Sequence, residues 1–73
     1  MNHHEYAKSF WNNVNTFRLK KPISWNALAL SIGISPTNLT RYRKVGQLPF
    51  AYTIVDIADI LECSLDDLLR ITN

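Results

Sequence analysis

Acidic side chains are almost missing from the first 55 residues of this 73-residue chain. Glu5 is the one carboxylate there against seven Lys and Arg, which gives 7 − 1 = +6. Residues 56–73 carry five acids and one base, 1 − 5 = −4, so the net charge of +2 conceals a division. Such a division is typical of a domain that turns one face toward a polyanion, although small domains also acquire uneven charge by chance. Charge alone leaves both interpretations open.

Cysteine, glycine and proline are also scarce. The single cysteine, Cys63, excludes an intramolecular disulfide and predicts a reducing, cytoplasmic setting and a partly buried, unreactive thiol. With two glycines, three prolines and 47% hydrophobic residues, no segment has a disordered composition. No apolar run approaches the roughly 20 residues of a membrane span, and the N-terminus lacks a signal pattern. We expect one soluble domain over residues 1–73, with its core at about 6–71 and no membrane partner.

Combinations of residues that perform catalysis or bind metals are missing too. The sequence has no Ser/His/Asp set, no glycine-rich phosphate loop and no paired carboxylates, and a chain this short cannot enclose a substrate pocket. His3 and His4 lack acidic or cysteine partners at ligand spacing, so we interpret them as a frayed terminus. The sequence predicts a protein that is not an enzyme and that uses no cofactor, metal or small-molecule substrate.

Hydrophobic residues recur with the helical period throughout, which predicts an all-α fold of five short helices. The first helix, over residues 4–19, has an apolar stripe and ends before Pro22. A fourth helix spans 50–61, and a fifth begins at Ser64, which has capping-box spacing to Asp67. The expected core positions of these three helices are Tyr6, Phe10, Val14, Phe17, Ile54, Ile57, Ala58, Leu61, Leu65, Leu68 and Leu69.

Three large side chains lie outside these stripes. Trp11 is off the stripe of the first helix, so we expect it to be exposed and available to a partner. Ile60 and Ile71 either form a dimer interface near the C-terminus or pad the core.

Between residues 24 and 36, two helix-start signals enclose one stop signal. Ser24 is a good N-cap, and Gly33 suits the left-handed conformation that ends a helix. Ser35 is a second N-cap, with Pro36 at the first helical position. Hydrophobic-staple spacing repeats at both starts, in Ile23–Leu28 and Ile34–Leu39. The pattern predicts a helix-turn-helix over Trp25–Lys44, with its second helix at residues 36–44.

The second helix of this motif has two different sides. Ala29 is small where the helices cross, and the side chains expected to point into the angle between them are Leu28, Ile32, Ile34, Leu39 and Tyr42. Thr37, Asn38, Arg41 and Lys44 remain on the outer side. Packing determines the inner side, and the outer side is free for recognition.

With these features the chain resembles the lambda-repressor-like, or Cro/C1/XRE-type, helix-turn-helix domains of bacterial and phage regulators. The resemblance runs from about Phe10 to Leu69. It is carried by Arg18, Ser24, Leu28-Ala29, Gly33-Ile34-Ser35, Leu39, Pro49, Ile57-Ala58, Leu61 and Ser64–Leu69. It implies a DNA-binding transcriptional regulator, with a repressor expected, that binds a palindromic operator in double-stranded DNA as a homodimer.

The resemblance also implies which residues meet DNA. Pro36, Thr37, Asn38 and Arg41 would face the bases: Arg41 would pair with guanine, Asn38 with adenine, Thr37 with a thymine methyl group, and Pro36 offers only shape. The positions that would hold phosphates are Ser24, Trp25, Ser35, Lys44 and Gln47.

Three positions depart from the family pattern. Trp25 stands where the family commonly has a Gln that contacts phosphate, and it either donates its indole N–H or packs its ring. Arg43 stands where a Glu often pairs with the equivalent of Arg18, so it either finds an acid such as Asp56 or adds to the DNA-facing charge. The glycine that follows the second helix of the motif is Gly46, one residue later than in the family pattern. These departures keep a second hypothesis open, a protein-interaction module on the same fold such as an antitoxin, anti-repressor or adaptor.

Overall fold

The computed structural model describes residues 3–71, with side chains from Glu5 onward. The side chains of His3 and His4, interpreted above as a frayed end, lie outside the described part. The helices are α1 (His3–Lys20), α2 (Trp25–Ser31), α3 (Pro36–Val45), α4 (Ala51–Leu61) and α5 (Leu65–Leu69), and the described residues form no strand. This confirms the predicted all-α fold of five helices. None of the described helices is long and apolar enough to cross a membrane.

Serine side chains begin three of the five helices. The Ser24 hydroxyl accepts a hydrogen bond from the Ala27 N–H at 3.0 Å, and Ser35 accepts one from the Asn38 N–H at 3.1 Å. Ser64 and Asp67 form the reciprocal capping box, with bonds of 3.0 and 3.1 Å. Each cap satisfies a backbone donor that has no partner inside its helix. The helix starts are therefore set by local sequence.

Residues in the left-handed backbone conformation end α3 and α4 and form the turn between α2 and α3. Gly33 in the α2–α3 turn and Gly46 after α3 have φ of 75° and 74°, which glycine adopts without steric cost. Glu62, the C-cap of α4, has φ of 56° although it carries a side chain. Its carboxylate forms a 2.7 Å ion pair with Lys21, the residue directly after α1.

Eleven buried hydrophobic residues form one core cluster in which α1 packs chiefly on α5 and α2 on α3. They are Phe10, Trp11, Val14, Leu28, Ala29, Leu39, Ile54, Ile57, Ala58, Leu61 and Leu68.

Two predictions for α1 are wrong, because its buried stripe follows Ala7, Phe10, Trp11 and Val14 instead of the line through Tyr6. Tyr6 is 41% exposed, whereas Trp11 is only 7% exposed. The Trp11 ring packs edge-on against Phe10, and its indole N–H donates to the Gln47 carbonyl oxygen at 2.9 Å. Trp11 therefore lies inside the domain and is not available to a partner.

In α5 the expected core set is only partly buried. Leu68 is fully buried, but Leu65 and Leu69 are 43% and 36% exposed. In a helix of only five residues, Leu68 is directed at the core, whereas Leu65 and Leu69, one turn apart from each other, lie at the margin of the covered side. Ile60 packs against the core, while Ile71 is half-buried.

Candidate nucleic-acid interface

The inner side of α3 is seated in the core, as the sequence predicts. Leu39 is buried, and Tyr42 packs against the core cluster. Ile32 and Ile34, at the turn between α2 and α3, pack there as well, and the Ile34 N–H donates to the Ala29 carbonyl oxygen at 2.9 Å. These contacts fix the rotation of α3 about its own axis.

The outer side of α3 faces solvent. Thr37, Asn38, Arg41 and Lys44 are exposed, and Pro36 is half-buried. Positions 37, 41 and 44 are four and three residues apart, so they form one line along the helix. Within the described residues 5–71, the side chains of Arg41 and Lys44 make no hydrogen bond or ion pair. Both cations are therefore free to meet a ligand.

Around this edge, the predicted phosphate-contacting residues fall into two groups. Ser24 and Ser35 are exposed, and each hydroxyl oxygen already accepts a helix N–H, so the hydroxyl hydrogen remains available to donate. The Gln47 side chain is exposed too, but its backbone is held at both ends: its N–H donates to the Tyr42 carbonyl oxygen at 3.0 Å, and its own carbonyl accepts from Trp11. The loop after α3 thus has a fixed path.

Trp25 packs its ring, which is one of the two alternatives left open by the sequence. The ring is half-buried against the core and lies edge-on to Trp11, with centroids 6.2 Å apart. The guanidinium carbon of Arg43 is 3.8 Å from the centroid of the Trp25 ring, and that of Arg18 is 4.7 Å away. Two cations therefore contact one indole.

Neither guanidinium has a carboxylate partner in the described part of the chain. Arg18 donates to the Asn15 side-chain oxygen at 2.6 and 3.2 Å and to the Ile23 carbonyl at 3.1 Å, and these acceptors are neutral. Arg43 does not form the suggested ion pair with Asp56. Burial first, and then the charge of Arg18, lowers the pKa of Arg43, although a guanidinium remains protonated in proteins. In the described residues, no carboxylate neutralises the two positive charges.

A family model described as a Cro/C1-type HTH DNA-binding domain matches residues 13–73, most of the chain. The chain belongs to this family. The match confirms the resemblance inferred from the sequence and makes the domain a DNA-binding module. No curated protein and no solved structure matches the chain.

Two grooves flank α3 in this Cro/C1-type domain. One, of about 290 Å³, lies between α3 and the start of α4 and is bordered by Asn38, Arg41, Phe50 and Tyr52. The other, of about 320 Å³, is lined by Trp11, Asn12, Asn15, Trp25, Arg43 and Lys44; we call it the Arg43 groove. The outer edge of α3 thus contributes residues to grooves on both sides.

The sequence reasoning missed the exposed aromatic pair beside the first groove. Phe50 and Tyr52 are 65% and 68% exposed, and their rings stack with centroids 5.6 Å apart at an interplanar angle of 10°. The helical period of α4 gives a signal for Tyr52, since it is off the buried line through Ile54, Ile57 and Leu61. The sequence predicts Phe50 as the first residue of the helix, whereas in the structure it is the N-cap residue and makes no side-chain capping bond.

Cys63 and the acidic residues lie outside the outer edge of α3 and the two grooves. The Cys63 thiol is half-buried, and burial followed by the charge of Asp67 raises its pKa, which keeps it protonated and unreactive at neutral pH. Among the described residues, no group of three or more His, Cys, Asp or Glu could hold a metal ion.

Proposed function

We propose that this domain is a sequence-specific transcriptional regulator, acting as a repressor, that reads the major groove with α3. The observation that carries the proposal is the exposed edge formed by Thr37, Asn38 and Arg41, on a helix whose opposite side is held by Leu39. A major groove about 12 Å wide admits an α-helix, and base edges are read there by protruding polar side chains. No acidic residue occurs between residues 6 and 55, so neither α2 nor α3 carries a carboxylate that would repel the duplex.

Each base-facing residue has a separate role in this proposal. Arg41 presents an unpaired planar fork that pairs with guanine O6 and N7. Asn38 uses only its backbone N–H to bond the Ser35 cap, which leaves its side-chain amide for adenine. Thr37 contacts a thymine methyl group, and Pro36 supplies shape.

Phosphates on either side would hold α3 in register. Ser24, Ser35, Lys44 and Gln47 present exposed donors for this purpose. The packed ring of Trp25 confines that residue's contribution to its half-buried indole. These contacts carry little sequence information but supply much of the affinity and its salt dependence.

We further propose that two copies bind a palindromic operator as a homodimer, because a single short recognition helix covers few base pairs. The longest Cα extent of one copy, 31 Å, is compatible with equivalent helices about one DNA turn apart, roughly 34–36 Å. The exposed Leu65 and Leu69 of α5 support such an interface, because they present apolar area one helical turn apart.

The test begins with selection of bound duplexes from a random library, followed by fluorescence-anisotropy titrations of the selected site. We expect Arg41→Ala to lower affinity for that site more than tenfold, since a bidentate contact discriminates by roughly 1–3 kcal/mol. Stability should change little because Arg41 is exposed. Arg70→Ala, a matched loss of charge on the acidic half, is the control. Unchanged operator affinity in Arg41→Ala would refute the assignment.

One observation favours the second candidate function, a protein-interaction module. The stacked, exposed Phe50 and Tyr52 resemble the aromatic anchors of protein interfaces. Trp11, which the sequence pointed to as an exposed contact, is buried and gives no support. Salt-dependent elution from heparin or random duplex DNA separates the two candidates, because only a DNA-binding domain should show a steep salt slope.

A further inference from the structure

We propose that the Arg43 groove is a phosphate-binding site in which Arg43, placed over the Trp25 ring, holds a phosphodiester of the bound duplex. The site lies beside the base-reading edge of α3 and adds a residue that the family pattern does not place on DNA. The proposal rests on the proposed function, since it takes duplex DNA as the ligand.

The first argument concerns hydrogen-bond donors. A guanidinium carries five N–H donors, and in the described residues none of those of Arg43 donates to a protein acceptor. Its neighbour Arg18, in contrast, commits three of its five donors to Asn15 and Ile23. The indole ring fixes the position of the Arg43 fork without occupying its donors. A half-buried fork with free donors fits the bidentate geometry of phosphate.

The second argument concerns charge. Arg18 and Arg43 both lie within 5 Å of the Trp25 ring centroid, and no carboxylate of the described residues forms an ion pair with either. Burial and the neighbouring cation lower the pKa of Arg43, which reflects the cost of holding its charge there. An oxyanion from outside would offset both effects by pairing with the half-buried charge.

The third argument is position. Lys44 lines the Arg43 groove and is also the last residue of the outer line 37, 41, 44 of α3. A DNA strand whose bases face Arg41 therefore passes its backbone across the mouth of this groove. Asn12, exposed on the α1 wall, offers an additional amide donor. Continuity with the reading edge favours a DNA phosphodiester over an unrelated anion.

The test compares Arg43→Gln with wild type on the selected operator and on a random duplex, with Arg70→Gln as the charge-matched control. Loss of one phosphate contact should reduce the slope of log K against log salt by about 0.9 and affinity by roughly five- to tenfold at 0.1 M salt. The loss should be the same for both duplexes, unlike that of Arg41→Ala, which is confined to the operator. The salt slope of Arg70→Gln should be closer to that of wild type than the slope of Arg43→Gln is. One methylphosphonate substitution in the operator should weaken wild type severalfold and leave Arg43→Gln unaffected.

A second measurement uses inorganic phosphate and the Trp25 indole N–H resonance in NMR spectra. Phosphate should shift this resonance in wild type but not in Arg43→Gln, and operator DNA should displace the phosphate. If Arg43→Gln keeps the wild-type slope of log K against log salt while Arg41→Ala loses operator binding, the phosphate site at Arg43 is refuted and the proposed function stands. A phosphate shift in a wild-type protein that binds no duplex overturns both the DNA occupant and the proposed function. If Arg43→Gln does not fold, the displacement of phosphate from wild type by operator DNA is the deciding measurement. Phosphate that the operator cannot displace would then overturn the proposal.

Discussion

Asn13 holds the short helix α5 in place, and its replacement tests how this small domain closes. Its side-chain amide donates to the carbonyl oxygens of Leu68 and Arg70 at 2.9 and 2.8 Å. Both carbonyls lie at the C-terminal end of α5, where a helix leaves its carbonyls without internal partners. One buried amide therefore satisfies two acceptors across the α1–α5 interface.

The expected cost of Asn13→Ala follows from these two bonds. A hydrogen bond contributes about 0.5–1.5 kcal/mol net, and leaving the buried Leu68 carbonyl unpaired costs about 1–3 kcal/mol. Together they give a loss of roughly 2–4 kcal/mol. A domain of 73 residues has an unfolding free energy of only about 4–11 kcal/mol, so the variant should lose a large part of its stability.

Chemical denaturation followed by circular dichroism measures this loss, with Asn12→Ala as the control. Asn12 is the exposed neighbour, and its truncation should change the unfolding free energy by less than about 0.5 kcal/mol. Asn13→Asp separates hydrogen bonding from packing, because it preserves volume while replacing the donor with a carboxylate that faces two carbonyl oxygens. If Asn13→Asp is as stable as wild type at neutral pH, or Asn13→Ala loses less than about 1 kcal/mol, the reasoning about donors is wrong.

Two further predictions concern the C-terminal half. Glu62→Gly should raise the melting temperature by a few degrees, because glycine adopts the left-handed conformation freely and the ion pair that is lost, to Lys21, is exposed on its Glu62 side. Lys21→Ala measures the loss of that ion pair alone, and a melting temperature of Glu62→Gly at or below that of wild type would contradict the prediction. Hydrogen bonds from the backbone and side chain of Ser64 lower the pKa of Asp67 below its ordinary value of 3.8. The ionised Asp67 carboxylate therefore stabilises the fold fully above pH 3.8, and this stabilisation is lost as the pH falls through the lowered pKa. Wild type should therefore lose more stability than Asp67→Asn on acidification below about pH 4, and parallel pH profiles of denaturation would count against the capping box.

The helix starts and the inner side of α3 were predictable because their signals are local. Ser24, Ser35 and Ser64 each cap the helix that follows them, and the hydroxyl bonds depend only on residues three positions away. The seating of Leu39 follows from the helical period together with the turn at Gly33. Since α3 has one apolar side, locating that side also located the exposed edge opposite.

Long-range contacts decided the features that the sequence did not predict. Residues 7, 10, 11 and 14 also have helical spacing, so the sequence is consistent with two apolar lines on α1, and packing together with the bond from Trp11 to a carbonyl 36 residues away decides between them. Tyr6 and Leu65 have helical spacing consistent with a core position, but the neighbouring helices leave both exposed. The roles of individual residues toward DNA stay predictions, since they depend on a partner.

The departures at Trp25, Arg43 and Gly46 belong to one arrangement. With Arg in place of the usual Glu, the fold must hold two like charges together, and the negative face of the Trp25 ring supplies the compensation that a carboxylate would otherwise give. Trp11 packs edge-on to that ring and bonds the carbonyl directly after Gly46, so the same cluster fixes the displaced loop.

An Arg–Glu pair would contribute no net charge beside α3, whereas Arg18 and Arg43 contribute +2 in a stretch, residues 6–55, that has no acid. Two cations that share one indole repel each other in the free domain, and a polyanion across the Arg43 groove would offset that repulsion by attracting both. If the Arg43 groove holds a phosphate as we propose, the arrangement is therefore more favourable on DNA than in the free domain.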